Sequence, residues 1–457
     1  MKAIVCGAGQ VGSQIARSLS DEGNAVTVID SDGALVRRVS DAFDVSGVTG
    51  FASHPDVLAR AGAAEADMLI AATSMDEVNM VACQVAHSVF NVTTKIARVR
   101  TESYLEAEFS DLFRREHLPI DVIISPEAEV ARVTMRQLLS NAAFDSEPFL
   151  DGRVELIGLR LDDDCPVLNT PLAQLSELFS TLRAIIVAVR RGGRLWAADR
   201  DDQLLAQDDI YFVAAREDVP RAFGIFGREN LTPERVVVIG AGNVGLKVAR
   251  NIEEHPALRG KMIERNRARA ERAADALERT IVLNGDALDA EMLTEAGVAE
   301  ADAVIAVTDD DRTNVLACAL AGQEGCPISI ALSKDTTFQR IADPLGVSAL
   351  INPRATTVSS ILRHVRRGKV RSVYSIGRGE GEVIEAQVMH TSPIAGRRVR
   401  DVNFPSGTVV GAVQRGDSLI MPRGDHVIEV GDLMVIFATF QSVHQIEHMF
   451  RVSMDFF

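Results

Sequence analysis

Apolar residues fall in two rhythms along this chain. In the first, short continuous apolar runs alternate with segments whose apolar residues recur every three to four positions. KAIVC enters a glycine-rich turn and then a helical pattern over 10–20; AVTVID, a short strand at 45–48, ADMLIAAT, KIARVR and DVIIS follow, with helical segments between them at 35–42, 55–61, from SMDEVN onward, and at 126–139. Strands of this kind suit a parallel sheet covered by helices on both faces. The Ser, Asp and Glu that open SMDEVNMVACQVA read as a helix-capping signal. The second rhythm occupies 149–226, where VELIGLRL, RAIIVAVRR and DIYFVAA read as strands separated by turns at Gly192-Gly193 and Gln207-Asp208. This β-rich module is small for a typical substrate domain.

Both rhythms then recur. RVVVIGAGNVG repeats MKAIVCGAGQVG, KMIER repeats VTVID, and DDDRTNVLACALA matches SMDEVNMVACQVA, setting Thr308 against Thr73, Asp311 against Asp76, Asn314 against Asn79 and Cys318 against Cys83. CPVLNTPLAQL answers SPIAGRRVRDV, and LLAQDDIYFVA answers VIEVGDLMVIFA. A match this regular indicates duplication of a whole unit. The predicted fold is α/β: two tandem Rossmann-type, doubly wound parallel sheets, each followed by a small β-rich α+β lobe, with domains at 1–140, 149–226, 233–368 and 372–457.

The glycine turns carry the candidate chemistry. Gly7, Ala8, Gly9, Gln10, Val11 and Gly12, and again Gly240, Ala241, Gly242, Asn243, Val244 and Gly245, link a strand to a helix. In that setting the glycines make the tight turn, admit a pyrophosphate against bare backbone and let helix pack on strand. The phosphate rests on the helix N-terminus, where unpaired N–H groups and the helix dipole favour negative charge. Asp30 closes the second strand, 18 positions after Gly12, where a carboxylate accepts ribose hydroxyls and repels a 2′-phosphate; the first cradle is therefore expected to prefer NAD(H). Glu264 takes the same place in the second copy and is followed by Arg265, which suits a different nucleotide, ATP or ADP. Thr73, Ser74 and Thr308 lie at carboxyl ends of strands, where open parallel sheets bind ligands. Asp286 stands in NGDA, against Phe51 in TGFA, and Arg98 is placed to reach phosphate oxygens from the sheet edge, with only Ser333 or Lys334 near its register in the second copy.

Net charge of −16 and a pI near 5.1 argue against nucleic acid as the main partner. Cys6, Cys83, Cys165, Cys318 and Cys326 show no CxxC spacing and read as reduced, buried thiols. No apolar run reaches the 18 residues of a membrane span, and the chain opens directly on a strand, so a cytoplasmic protein is expected. His444, Glu447 and His448 spell HxxEH, a metal-binding pattern, but the first copy of the module lacks the histidines, so a solvated helix face is the favoured reading. Arg354, Arg363, Arg366, Arg367, Lys369 and Arg371 form a basic run that suits an anionic partner or a solvated helix end. An NAD-dependent oxidoreductase with a duplicated Rossmann unit is the alternative function class. It needs a His, Lys or Tyr acid–base group facing the nicotinamide, and neither small module offers a recognisable one.

Two Rossmann units, each with a β-rich module, resemble the regulator-of-potassium-conductance (RCK, or KTN) family. The likeness is carried by MKAIVCGAGQVG, VTVID, SHPDVLARAGAAEADMLIAAT, DEVNMVACQVAHSVFN, KIARVR and the second GAGNVG, and it covers the whole chain. It implies a non-enzymatic cytoplasmic ring, a homotetramer, held peripherally on the inner face of the membrane by a TrkH-type potassium channel whose flux it controls. It further implies NAD(H) at Gly7, Gly9, Gly12, Asp30, Thr73, Ser74 and Arg98, adenine nucleotides at one or both cradles, and β-rich modules that are the RCK C-terminal lobes.

Overall fold

The structure, a computed structural model, describes residues 1–228, 231–365, 370–376 and 380–450. In chain order the first half comprises β1 (Lys2–Cys6), α1 (Gln10–Asp21), β2 (Ala25–Asp30), α2 (Gly33–Ala42), β3 (Ser46–Thr49), α3 (Pro55–Arg60), β4 (Met68–Ala71), α4 (Asp76–Ser88), β5 (Thr94–Arg98), β6 (Val122–Ile124) and α5 (Pro126–Leu139). The module that follows contains β7 (Asp145–Phe149), β8 (Val154–Arg160), α6 (Leu172–Leu178), β9 (Ala184–Arg191), β10 (Arg194–Ala197), β11 (Asp209–Ala215) and α7 (Val219–Ile225). The second Rossmann region runs through β12 (Arg235–Ile239), α8 (Asn243–Glu254), β13 (Arg259–Glu264), α9 (Arg267–Ala276), β14 (Ile281–Asn284), α10 (Ala290–Ala296), β15 (Ala303–Ala306), α11 (Asp311–Gln323), β16 (Ile328–Leu332), α12 (Gln339–Ala342), β17 (Ala349–Ile351) and α13 (Pro353–Val365). The chain closes with β18 (Val370–Ile376), β19 (Gly381–Gln387), β20 (Thr408–Arg415), β21 (Ser418–Ile420), β22 (Leu433–Thr439) and α14 (Val443–Phe450).

These elements form two compact units, one holding Met1–Met135 with Glu234–Val365, the other Arg136–Pro233 with β18 onward. In the first unit two six-stranded parallel sheets share one order, β3-β2-β1-β4-β5-β6 and β14-β13-β12-β15-β16-β17. The central strands are apolar along their length because helices cover both faces: Ala3, Ile4, Val5 and Cys6 are all buried, as are Val236 to Ile239. The chain leaves β1 in one direction and returns through β4 in the other, so a crevice opens above β1 and β4, and its copy above β12 and β15. The last helix of the second repeat packs on the first: Val358, Ile361 and Val365 of α13 share a core with Ile15 and Leu19 of α1.

The second unit contains two five-stranded antiparallel sheets, β10-β9-β11-β8-β7 and β18-β19-β22-β20-β21. They have a common core in which Phe149, Leu156 and Val213 meet Ile376, Val383 and Phe437. The duplication persists in the polar detail. Arg191 grips buried Asp208 through Nε and Nη2 at 2.6 and 2.7 Å, and Arg415 grips buried Asp432 in the same way at 2.8 and 2.8 Å. Strand β7 is not anticipated by the pattern, because DSEPF has two acids and a proline. It survives as an edge strand because Arg136 pairs with buried Glu147 at 2.5 Å and Tyr374 donates to Asp145 at 2.5 Å.

Candidate functional site

Each glycine turn is fixed by its own backbone. Gly7 and Gly240 have φ of +107° and +103°, a region that disfavours side chains, and a Cβ on Gly12 or Gly245 would sit 1.8 Å from the carbonyl oxygen of Gly7 or Gly240. Between them Gly9 and Gly242 differ in kind. Their backbone is extended, with φ of −68° and −74°, and a Cβ there meets nothing within 4 Å. Both are helix N-caps without a side-chain cap bond, leaving the first N–H groups of α1 and α8 available to an anion.

The carboxylates at the ends of β2 and β13 have equivalent positions and equivalent bonds. Asp30 accepts from Ala8 N at 2.7 Å and Asp32 N at 2.9 Å, and Glu264 accepts from Ala241 N at 2.8 Å and Asn266 N at 2.7 Å. Each oxygen keeps a second lone-pair direction, so the carboxylate that ties down the turn also remains an acceptor for a hydroxyl. Asp286 stands at the mouth of the second cradle, 3.9 Å from Arg265, and Phe51 is 52% exposed at the corresponding end of the first.

Thr73 and Thr308 are held from below by a buried amide. Asn79 Oδ1 accepts from Thr73 N at 2.9 Å and Thr73 Oγ1 at 2.7 Å, while its Nδ2 donates to the carbonyls of Thr73 and Arg98 at 3.2 and 2.9 Å. Asn314 repeats the pattern with Thr308 and Leu332. The two asparagines occupy matching positions in the two copies of the sequence. Their signal is a polar residue on the apolar face of a helix, at the same distance from the threonine in both copies.

Three details correct the sequence reading. Ser74 does not cap α4; the N-cap is Met75 and makes no side-chain bond, whereas Asp76 accepts from Arg100 N and Thr101 N at 3.0 and 2.8 Å, stapling the segment after β5. Arg98 is not at a sheet edge, since β5 lies between β4 and β6; its backbone ends an interior strand, and its side chain lines the cavity. The register partner of Arg98 is Leu332 rather than Ser333 or Lys334, because Ala97 pairs with Ala71 as Ala331 pairs with Ala306.

The first cradle encloses a cavity of about 410 Å³ lined by Gly9, Gln10, Val11, Asp30, Thr73, Ser74 and Arg98. The second has a smaller cavity of about 190 Å³ against Gly240, Gly242, Glu264, Asp286 and Thr308. Between the cradles lies a third of about 520 Å³, bordered by Val11 on one side and Gly242, Asn243 and Val244 on the other. Among the described residues six cations line it, Arg98, Arg100, Arg269, Arg272, Lys334 and Arg354, against the two acids Glu127 and Asp309. Burial and neighbouring Arg100 lower the pKa of Arg98, and its Nε is buried without a hydrogen-bond partner. Such a clustering of cations suits a polyphosphate.

The remaining motifs fall elsewhere. Arg363 pairs with Glu129 of α5 at 3.4 Å, so it is an internal strut and not part of an open basic face; Arg366, Arg367 and Lys369, and the side chain of Arg371, lie outside the described residues. The side chains of His444 and Glu447 do too, and among the described residues no group of three His, Cys, Asp or Glu could hold a metal. All five cysteines are free and buried, and burial raises the pKa of Cys6 and of Cys318 to about 12. No helix among the described residues is long and apolar enough to cross a membrane.

Two glycine cradles at the switch points of two duplicated parallel sheets define a tandem Rossmann-type protein with paired antiparallel lobes. The TrkA-N domain model matches residues 3–126 and 236–353, and the TrkA-C domain model matches 156–227 and 383–451. The chain belongs to the TrkA family, as its resemblance to RCK proteins implied. It is 46% identical over 458 residues to the Trk system potassium uptake protein TrkA of Azorhizobium caulinodans and 35% identical over 462 residues to that of Halomonas elongata, covering 100% of both chains in each case. Its fold is shared with the GsuK RCK domain (TM-score 0.60, 16% identity, 98% of this chain and 94% of that one) and with the GsuK channel bound to NAD (TM-score 0.61, 16% identity, 98% and 78%).

Proposed function

We propose that this chain is the nucleotide-sensing regulatory subunit of a Trk potassium-uptake system, acting without a chemical step of its own. In this reading it gates a TrkH-type membrane channel in response to NAD(H) and ATP or ADP, as a cytoplasmic homotetramer held peripherally at the membrane by that partner. Its domains are those expected from the sequence, at 1–140, 149–226, 233–368 and 372–457. The carrying observation is the pair of cradles, in which an uncapped helix N-terminus at Gly9 or Gly242 stands beside a carboxylate already oriented by the turn. Asp30 and Glu264 receive the ribose, the turns 7–12 and 240–245 receive phosphate, and Thr73, Ser74, Arg98, Asp286 and Thr308 line the rest. That the GsuK channel, of the same fold, is known bound to NAD supports this use of the cradle.

A nucleotide shifts a conformational equilibrium only by its difference in affinity between the two states. Ligands in two cradles that face one cationic cavity bias the angle between the Rossmann sheets, and a closed ring passes that motion to a channel. The test is calorimetric titration of the full chain with NADH and ATP, followed by potassium flux through liposomes holding a TrkH-type subunit. Binding together with ligand-dependent flux supports the reading. Absence of binding, unaltered flux, or steady consumption of NADH with a substrate overturns it, the last in favour of an oxidoreductase.

A further inference from the structure

The cavity of the first cradle contains a residue from the second repeat. Arg354 lines it together with Asp30 and Arg98, and also lines the cationic cavity between the cradles. Its position is built in from both ends. Asn352 Oδ1 accepts from Arg354 N and Ala355 N at 3.0 and 3.1 Å, capping α13, and that helix is seated on α1 through Val358, Ile361 and Val365. The guanidinium itself is weakly bonded: its closest described bond is Nη1 to the Lys334 carbonyl at 3.5 Å, and its charge is felt by the exposed Asp335 carboxylate next along the chain. Among the described residues neither Arg98 nor Arg354 has a carboxylate at ion-pair distance, and Arg98 Nε is buried with no acceptor.

The pseudo-equivalent position in the first repeat has the opposite charge. Pro126 opens α5 as Pro353 opens α13, and the next residue is Glu127, which accepts from Arg100 Nε at 3.0 Å. A cross-repeat cation therefore lines the first cradle, whereas the equivalent Glu127 is paired with Arg100 and borders the central cavity.

We infer that Arg354 is a ligand-binding residue of the first cradle, gripping with Arg98 the distal phosphate of a nucleotide whose ribose lies at Asp30. Val11, Arg98 and Arg354 are shared between the first cavity and the central one, whereas Asp30, Ser31 and Gly50 border the first alone. The two arginines thus mark the end farthest from the ribose, where a second or third phosphate falls. The inference rests on the nucleotide-binding reading and adds that occupancy of the first cradle fastens the second repeat to it.

The test uses the full chain in a Gly242→Asp background, which fills the second cradle so that the heat signal reports the first. ATP, ADP and AMP are titrated into this parent and into its Arg354→Gln and Arg354→Lys forms, with thermal melting as the control for folding. Loss of one charge-assisted bond is expected to weaken ATP by about 10-fold or more while AMP changes less than about 2-fold, with Lys restoring part of the loss. Equal weakening of ATP and AMP, no weakening, or a loss seen instead in a Gly9→Asp background overturns the assignment of Arg354. A parent that binds none of the three overturns the assignment of Arg354 to a distal phosphate, and one that takes up neither these nor NADH overturns the nucleotide reading of the first cradle on which it rests.

Discussion

Replacing Gly9 by Asp separates binding from folding more cleanly than any other change at the first cradle. Gly9 already has φ of −68°, its Cβ would enter open space, and it is the uncapped N-cap of α1. An Asp there suits the helix: it caps the first-turn N–H groups, gaining a few tenths of a kcal/mol over Gly, and restricts the unfolded chain by a further 0.4–1 kcal/mol or so. The same N–H groups are those a phosphate needs. A carboxylate about 4 Å from the phosphate opposes it by roughly 4 kcal/mol at an effective dielectric constant of about 20, equivalent to about a thousand-fold in Kd. The expected outcome is a slightly higher Tm together with loss of NADH binding at the first cradle by calorimetry. Gly12→Ala is the contrast, since its methyl would lie 1.8 Å from the Gly7 carbonyl and should destabilise the fold by about 1–3 kcal/mol or more. Wild-type affinity in Gly9→Asp would show that the ligand does not rest on α1, and a lowered Tm would show that the turn is not as open as its geometry states.

Asn79→Ala strips Thr73 and the Arg98 carbonyl of a buried partner and should cost about 2–4 kcal/mol in urea denaturation. Asp145 is half-buried, and desolvation of its carboxyl raises its pKa to about 6 against the hydrogen bond from Tyr374; the native state therefore binds more protons than the unfolded state between about pH 4 and 6, and stability falls as pH rises through that window. Across it, stability of the wild type relative to Asp145→Asn should drop by about 3 kcal/mol, and a flat difference would refute the burial argument. The five cysteines should resist a thiol reagent in the native protein and react on unfolding, because burial raises their pKa values.

Much of this architecture was legible in the chain because its determinants are local. Apolar runs flanked by glycine turns identify the parallel strands, and the second copy repeats the same succession of elements. Asp30 and Glu264 were readable for the same reason, since a carboxylate at a strand end is set by spacing alone. Edge strand β7 was hidden because its acids are partnered from outside the strand, Glu147 by the charge of Arg136 and Asp145 by a hydrogen bond from Tyr374, the latter 229 positions away. Arg354 read as one member of a basic run, since its neighbour in space, Arg98, belongs to the other repeat. The Ser, Asp and Glu signal located the start of α4, with Asp76 and Glu77 in its first turn, but Met75 holds the N-cap position and Asp76 turns to the segment after β5.

The seating of α13 on α1 has an evolutionary consequence. Were the two halves separate copies of one polypeptide, every substitution at a helix start would appear twice, and an arginine facing one pocket would be matched by an arginine facing the other. Covalent fusion removes that constraint. Position 354 can then hold a cation where position 127 holds an acid, and position 98 an arginine where 332 is leucine. A single peptide linkage thus lets the two glycine cradles of a duplicated unit carry different side chains on one shared framework.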